Sequence, residues 1–360
     1  MSAFETFFRR HVPPPKFLTM PATGIDVSDH KIRFIKFTEK GNHRKIKYFG
    51  EMSVPAGAIS DGYINDRETV KKLLVELKEK ENVNYVNVSF PEEKAFLFKT
   101  QIPKTAGEDI STAVEFRIEE NVPISAGDCV FDYMVDESRE NHSHVDVGVS
   151  VLPKKTVETY ISVFKEAGLR PKLFTIEAQA ITNAVIPKDE KTAVVVVNLK
   201  EDKTGIYIIR DKIVHFTSTV AIGGDAITKA LGKNLSISQE EAKRLKDESS
   251  FNRDGKNTEM FSSLVDTVSA LKDEVGKVLT YWKTHVETHG DGDGNLSKII
   301  LCGRDAGIDG FPEYLASALN ANVSVGEVWE NAFDPSEYVP PISFFDSLDY
   351  AAAIGVALEG

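Results

Sequence analysis

A strand pattern that occurs twice is the strongest constraint on this chain. Thr23 to Val27, Ile32 to Phe37 and Lys45 to Val54 alternate or run apolar between turn signals at Asp29-His30 and Lys40-Gly41-Asn42, which predicts three antiparallel strands. The pattern returns at Thr192 to Asn198, Gly205 to Ile209 and Ile213 to Thr219, about 170 residues later measured from Asp26 to Asn198. Helical spacing follows each meander. A repeated β-β-β-then-helix unit implies two similar lobes facing a cleft, and ligands favour such clefts.

The first half continues with a helix from Asp66 to Glu81, its Val70, Leu73, Leu74 and Leu77 at helical spacing, and a strand from Tyr85 to Phe90 that ends at Pro91. A second unit follows. It reads as a strand from Ala95 to Gln101, a helix near Gly107 to Glu120, strands near Val130 to Val135 and Val145 to Leu152, and a helix from Lys154 to Ala167 closed by Gly168. Next come a strand from Lys172 to Thr175 and a helix from Glu177 to Val185, ended by Pro187. Beyond the second meander, helices are expected at Gly224 to Leu231, Gln239 to Asp247 and Phe261 to His289. A strand from Lys298 to Cys302 and helices from Phe311 to Leu319 and near Leu348 to Leu358 complete the chain. The implied division is an N-terminal arm (1–21), a first lobe opening with 22–91, a second unit (92–170), a strand and helix (171–191), a second lobe (192–345) and a C-terminal helix (346–360).

Composition removes several function classes. With 43 basic against 55 acidic side chains the formal charge is −12, so a sequence-independent grip on a phosphate backbone is disfavoured. No nucleic-acid partner is expected. Cys129 and Cys302 are too few for a disulfide framework or a four-ligand zinc site, which suits buried thiols in a reducing compartment. The longest apolar runs, Ala193 to Val197 and Ala351 to Leu358, are too short to span a bilayer, and a cytoplasmic protein is expected. At the start of the chain Phe4, Phe7 and Phe8 share one helical stripe ahead of Pro13-Pro14-Pro15, with Arg9 and Arg10 following them in the wrong order for a secretory signal. That stripe suits a membrane surface, a docking partner or a frayed arm.

A cleft of this kind binds phosphate through two facing hairpin turns that offer backbone N–H groups, with small residues for close approach and a carboxylate for a metal-bound water. The candidates are Gly24-Ile25-Asp26-Val27-Ser28-Asp29-His30-Lys31-Ile32-Arg33, the turn from Val194 through Asn198-Leu199-Lys200-Glu201-Asp202-Lys203 to Thr204-Gly205, and the strand, loop and helix start from Ile299 through Cys302-Gly303-Arg304-Asp305-Ala306-Gly307 to Gly310-Phe311. Three further segments carry a resemblance: Thr175-Ile176-Glu177-Ala178-Gln179-Ala180 and Val220-Ala221-Ile222-Gly223-Gly224-Asp225-Ala226-Ile227-Thr228, similar to a family's two lobe connectors, and Glu240-Glu241-Ala242-Lys243-Arg244-Leu245-Lys246, similar to its base-contacting helix. In this layout the chain resembles the type IV pilus assembly protein PilM family, the PilM and FtsA branch of the actin-like superfamily. The inserted unit between Pro91 and Pro171 stands where those two families carry their small subdomain. The resemblance implies an α/β, actin-like (ribonuclease H-like) duplicated two-lobe fold with an inserted small α+β (SHS2-like) subdomain. It places a nucleotide cleft at Asp26, Ser28, Asn198, Thr204, Gly224, Glu241, Lys246, Gly303 and Gly307, with ATP and magnesium as the family's ligands.

Those motifs carry over in part. Asp26 is kept, but Ser28, Asp29 and His30 replace the expected glycine and small hydroxyl residues, so an added carboxylate is expected to face a polyphosphate. Asn198, Leu199, Lys200 and Glu201 replace an aspartate followed by glycines; a neutral amide holds no magnesium-bound water, and long side chains block close approach. Gly303-Arg304 replaces a glycine pair, and Lys243 stands where the family usually has an acid. These departures imply a cleft that binds nucleotide weakly or not at all, with no catalytic residues and no hydrolysis.

The expected role is then a scaffold that peripherally joins the inner membrane by gripping the cytoplasmic tail of a bitopic, PilN-like assembly protein. In the family the tail lies between the first lobe and the inserted unit, which offers Phe96 to Gln101 and Ala113 to Ile118 as interface residues, with the pilus assembly ATPase and a second copy of the chain as further partners. The alternatives are an actin-like ATPase or phosphotransferase using Asp26, and an FtsA-like membrane-tethered filament protein. Against the last, the C-terminal Ala351 to Leu358 segment looks like a core helix.

Other constellations are less promising. His285 and His289 share a helix face near Asp291 and Asp293, but Val286 stands where a hydrolytic zinc helix needs glutamate, and solvated helix-end histidines are expected. Asp291-Gly292-Asp293-Gly294-Asn295 lacks the glycine and glutamate of a calcium loop at Leu296 and Cys302. His142 and His144 are expected in a solvated loop. The apolar stripe Leu264, Val268, Leu271, Val275, Val278 and Trp282 is expected to face a core.

Overall fold

The computed structural model describes residues 21–40, 43–103, 109–135, 144–248, 258–289, 296–308 and 310–359. Phe4, Phe7, Phe8, His142, Asp291, Asp293 and Asn295 lie outside them, as does the side chain of His289.

The first lobe is built from β1 (Thr23–Val27), β2 (Lys31–Lys40) and β3 (His43–Ser53), a short hairpin of β4 (Ile59–Ser60) and β5 (Tyr63–Ile64), helix α1 (Arg67–Glu81) and β6 (Tyr85–Phe90). Asp66 caps α1 by accepting from the Thr69 amide, and Val70, Leu74 and Leu77 line its buried face. The inserted unit carries β7 (Phe96–Pro103), α2 (Ile110–Asn121), β8 (Cys129–Val135) and β9 (His144–Pro153). Helix α3 (Lys154–Glu166), β10 (Arg170–Ile176) and α4 (Glu177–Val185) return to the first lobe. The second lobe follows with β11 (Ala193–Leu199), β12 (Thr204–Arg210), β13 (Ile213–Val220), α5 (Gly224–Leu235), α6 (Gln239–Glu248), α7 (Thr258–His289), β14 (Leu296–Cys302), α8 (Phe311–Leu319) and β15 (Val323–Val325). A single turn α9 (Phe344–Ser347) leads to α10 (Ala351–Leu358).

The duplication is explicit in the pairing. The first sheet runs β10-β6-β1-β2-β3 and the second β13-β12-β11-β14-β15. In each, the opening strand pairs antiparallel with the next strand and parallel with one from further along the chain: β1 with β2 and β6, β11 with β12 and β14. Asp26 lies opposite Arg33 and Ser89, and Asn198 opposite Gly205 and Cys302, so the two occupy the same place in their lobes. Strands buried on both faces read as continuous apolar runs, as Val194 to Val197 do.

Among the described residues four apolar cores follow from this layout. One lies outside the first sheet under α1 and α3, one outside the second sheet under α5 and α7, and a third is sandwiched between the lobes around α4 and α10. The stripe Leu264, Val268, Leu271, Val275, Val278 and Trp282 of α7 is buried in the second-lobe core, as its spacing predicts. The C-terminal helix α10 is likewise a core element, with Ala352, Ala353, Ile354 and Val356 buried in the central core. The fourth core belongs to the inserted unit, where Val114 and Ile118 of α2 cover Val145, Val147, Val149 and Val151 of the β7-β9-β8 sheet. Helix α3 falls within the 92–170 stretch, yet Val157, Tyr160, Val163 and Phe164 pack in the first lobe's core with Phe90 and Leu74. The part of that stretch with a core of its own therefore runs from β7 to β9.

Candidate functional site: the cleft between the lobes

Between the lobes lies a cavity of about 500 Å³ lined by Asp26, Ser28, Asn198 and Lys246 among others. Thr204, Gly224, Gly303 and Gly307 are not among its lining residues, and Glu241 points to solvent from the first turn of α6.

The cleft's polar groups are engaged with one another. In the first turn the Ser28 amide and hydroxyl both donate to the Lys31 carbonyl, at 2.9 Å each, which closes the hairpin. Asp29, expected to face a polyphosphate, turns elsewhere: its carboxylate accepts from the Asp61 and Gly62 amides at 2.9 and 3.1 Å and pairs with Lys203 at 3.0 Å. These contacts outweigh its partial burial and hold its pKa below the usual carboxylate value. Asp26 is buried, which raises its pKa, while Lys200 and Arg33 act to lower it.

In the second turn Asn198 donates from Nδ2 to Glu177 Oε1 at 3.0 Å, and Lys200 Nζ reaches Glu177 Oε2 at 2.6 Å. Lys203 Nζ also lies 2.9 Å from Glu93 and 3.6 Å from Asp202. Thr204 donates its hydroxyl to the Ile222 carbonyl at 2.6 Å. The first amides of α5 are used locally, Gly224 donating to the Lys200 carbonyl at 3.0 Å and Asp225 to the Glu201 carbonyl at 2.7 Å. A helix N-terminus favours anions through such free N–H groups, and here two of them are spent on the turn. Lys246 pairs with Asp305 at 2.7 Å beside Gly224.

Behind the turns sit Glu92, Glu93 and Glu177, all buried or nearly so. Glu92 accepts from the Ala178 amide at 3.1 Å, and burial with the nearby Glu177 charge pushes its pKa well above the ordinary range. Glu93 is held low because Lys200 and Lys203 offset its desolvation. Farther along the cleft Arg33 pairs with Asp349 at 2.8 Å, and the Arg304 amide donates to the same carboxylate at 2.8 Å, so Asp349 joins the two lobes.

Lys203, Glu92 and Glu93 carry no weight in the sequence motifs. The one available signal is a Glu-Glu pair right after a strand end, opposite a turn with two lysines, and only the three-dimensional pairing gives it meaning.

Other expectations change with the fold. His285 stacks on Tyr281 and Trp282, with ring centroids 5.5 and 6.4 Å away, so it is part of an aromatic face and not a solvated helix end. His144 opens β9 and lies 3.7 Å from Asp146, which corrects the solvated-loop reading. Among the described residues no cluster of three or more His, Cys, Asp or Glu side chains is arranged to hold a metal ion, and no helix is long and apolar enough to cross a membrane. The strand Phe96 to Gln101 lines a cavity of about 850 Å³ shared with Phe216 and Tyr281 of the second lobe. In Ala113 to Ile118, Val114 and Ile118 are buried beneath the unit's own sheet, while Phe116 is exposed. The groove against the first lobe is instead walled by β8. Val130, Asp132 and Met134, on the face of β8 turned away from the unit's own core, line it together with Phe90, Phe174, Ile176 and Val214.

A family model described as type IV pilus assembly protein PilM matches residues 24–360. The chain belongs to the PilM family. The structure is similar to that of the PilM-PilN type IV pilus biogenesis complex, with a TM-score of 0.74 at 17% identity over 94% of this chain and 98% of that one. Ethanolamine utilization protein EutJ from Carboxydothermus hydrogenoformans matches with a TM-score of 0.55 at 16% identity, covering 95% of this chain and 91% of its own. MreB5 of Spiroplasma citri bound to ADP matches with a TM-score of 0.54 at 12% identity, covering 92% and 94%. At these identities the likeness shows the fold, which is the actin-like one that the family resemblance implies.

Proposed function

We propose that this PilM-family chain is a type IV pilus assembly scaffold that holds the cytoplasmic tail of a PilN-like inner-membrane protein, and so sits peripherally at that membrane without turning over nucleotide. The observation that carries the reading is the groove between β8 and the first lobe. It is narrow, about 170 Å³, and mainly apolar. The strand β8 is an edge of its three-stranded sheet and exposes Val130 and Met134. An edge strand beside an apolar groove suits an extended peptide, whose main chain pairs with the edge while alternate side chains enter the groove. The inserted unit is what separates this chain's surface from a bare two-lobed fold. A complex of family relatives carrying a PilN chain supports the same partner class.

The cleft residues do not fit a magnesium nucleotide. The Ser28, Gly224 and Asp225 amides already donate to carbonyls, Asn198 offers no carboxylate, and the ammonium groups of Lys200 on the cleft wall and Lys203 behind it are already paired to acids.

The test is binding of a synthetic partner tail to the full chain by calorimetry. Met134→Asp places a charge in the groove and should weaken binding tenfold or more, while Phe116→Asp on the exposed face of α2 should leave it unchanged. Equal affinity of Met134→Asp and the wild-type chain would refute the groove assignment.

A further inference from the structure

We propose that Lys203 is a built-in latch, one ammonium that ties the first-lobe turn, the second-lobe turn and the root of the inserted unit together, as a ligand bound between the lobes would. The inference rests on the reading of the cleft as one that holds no nucleotide.

Lys203 sits on the turn between β11 and β12. Its ammonium meets Asp29 of the β1-β2 turn at 3.0 Å, Glu93 at 2.9 Å and Asp202 of its own turn at 3.6 Å. Glu93 belongs to the short turn that leads from β6 of the first lobe into β7 of the inserted unit. Its Oε1 also lies 3.8 Å from Lys200, whose ammonium grips Glu177 at the start of α4. Asp29 in turn holds the β4-β5 hairpin through the Asp61 and Gly62 amides. Three chain segments far apart in sequence therefore converge on one ammonium whose side chain is 9% exposed. An ion pair so far removed from water is screened little by salt, and taking away one partner leaves the others as uncompensated buried charges. Phe90, three residues before Glu93, lines the groove beside β8.

Hydrogen exchange of the full chain tests the latch in Lys203→Met. Amides of 28–31, 92–96 and 200–204 are expected to exchange at least tenfold faster together, while Val194 to Val197 keep wild-type protection. Lys243→Met, at an exposed lysine on the cleft wall, is the control and should leave all three segments unchanged. Should Lys203→Met fail to fold, Asp29→Asn opens the same bridge from the other lobe and is expected to loosen 92–96 as well as its own turn. Acceleration confined to the mutated turn, or none at all, would overturn the latch. Stabilisation of the wild-type chain by ATP and magnesium would instead overturn the reading of the cleft, so the two failures are distinguishable.

Discussion

Lys246 Nζ lies 2.7 Å from Asp305 Oδ1, and this pair closes over the first turn of α5 with both side chains about nine-tenths buried. The chain thereby places its own carboxylate at the N-terminus of a helix, where the helix dipole favours an anion. The arrangement depends on Gly224. A β-carbon built there would stand 1.6 Å from Asp305 Oδ2.

Gly224→Ala must then push Asp305 away from Lys246, and the expected loss is about 2 kcal/mol of stability, within the usual range for overpacking. Lys246→Met keeps the stem and removes the charge, which strands Asp305 in the cleft wall. That variant is expected to lose about 3 kcal/mol. Urea melts of both against the wild type measure these losses, and two unchanged midpoints would show that the pair contributes nothing.

Glu359 gives a pH dependence with a definite sign. Burial pushes its pKa from 4.5 up to about 7, against a hydrogen bond from the Asn183 side chain that favours the charged form. Between pH 4.5 and 7 the folded chain holds a proton that the unfolded chain has released. Unfolding therefore gives up that proton, and stability falls as pH rises through the window, by at most about 3 kcal/mol for this group. Glu359→Gln cannot titrate, so its melting temperature should vary less between pH 5 and 7.5 than that of the wild type. Parallel curves for the two proteins would exclude the effect.

Gly303 is held by backbone geometry. Its φ is +84°, and a β-carbon there would lie 1.9 Å from the Leu199 carbonyl oxygen at the start of the lysine turn. Gly303→Ala combines a strained conformation with a clash against main chain that cannot yield easily. A loss of about 3 kcal/mol is expected, read by chemical denaturation, with faster hydrogen exchange at 200–204 as the local signature.

The lobes were legible because they are written in periodicity. Alternation along the two meanders and the stripe from Leu264 to Trp282 follow from burying one face, so strand and helix types emerge from local patterns. The strand β15 is three residues long and exists through its parallel pairing with β14, which no local pattern records. The cleft was legible by position and less so by chemistry. Asp26 and Asn198 could be matched as equivalent strand ends, but a turn reading Lys-Glu-Asp-Lys looks like any solvated loop. Its meaning comes from Glu93 and Glu177, which are distant in sequence and reach Lys200 and Lys203 only after folding. Which strand of the inserted unit borders the first lobe was not legible for a similar reason. Both β7 and β8 are edges of one small sheet, and which edge meets the first lobe is set by how the unit docks.

The last prediction concerns ATP with magnesium. A triphosphate in this cleft would need backbone amides from both turns and a cation held by carboxylates. The Ser28, Gly224 and Asp225 amides already donate to carbonyls, and Asp29 and Glu177 already pair with lysines at 3.0 and 2.6 Å. Binding would compete with these contacts and bring the net negative charge of the magnesium–triphosphate complex beside Asp26, Glu177 and Asp202. A ligand that binds only the folded state with a dissociation constant fifty times below its concentration adds about 2 kcal/mol of stability, a shift of the melting temperature that is easily seen. Titrating the wild-type chain with millimolar ATP and magnesium is expected to leave that temperature unchanged, and Lys200→Gly with Lys203→Gly should not gain a shift, because Asn198 still supplies no carboxylate. A saturable rise with ATP in the wild-type chain would reverse this account of the cleft.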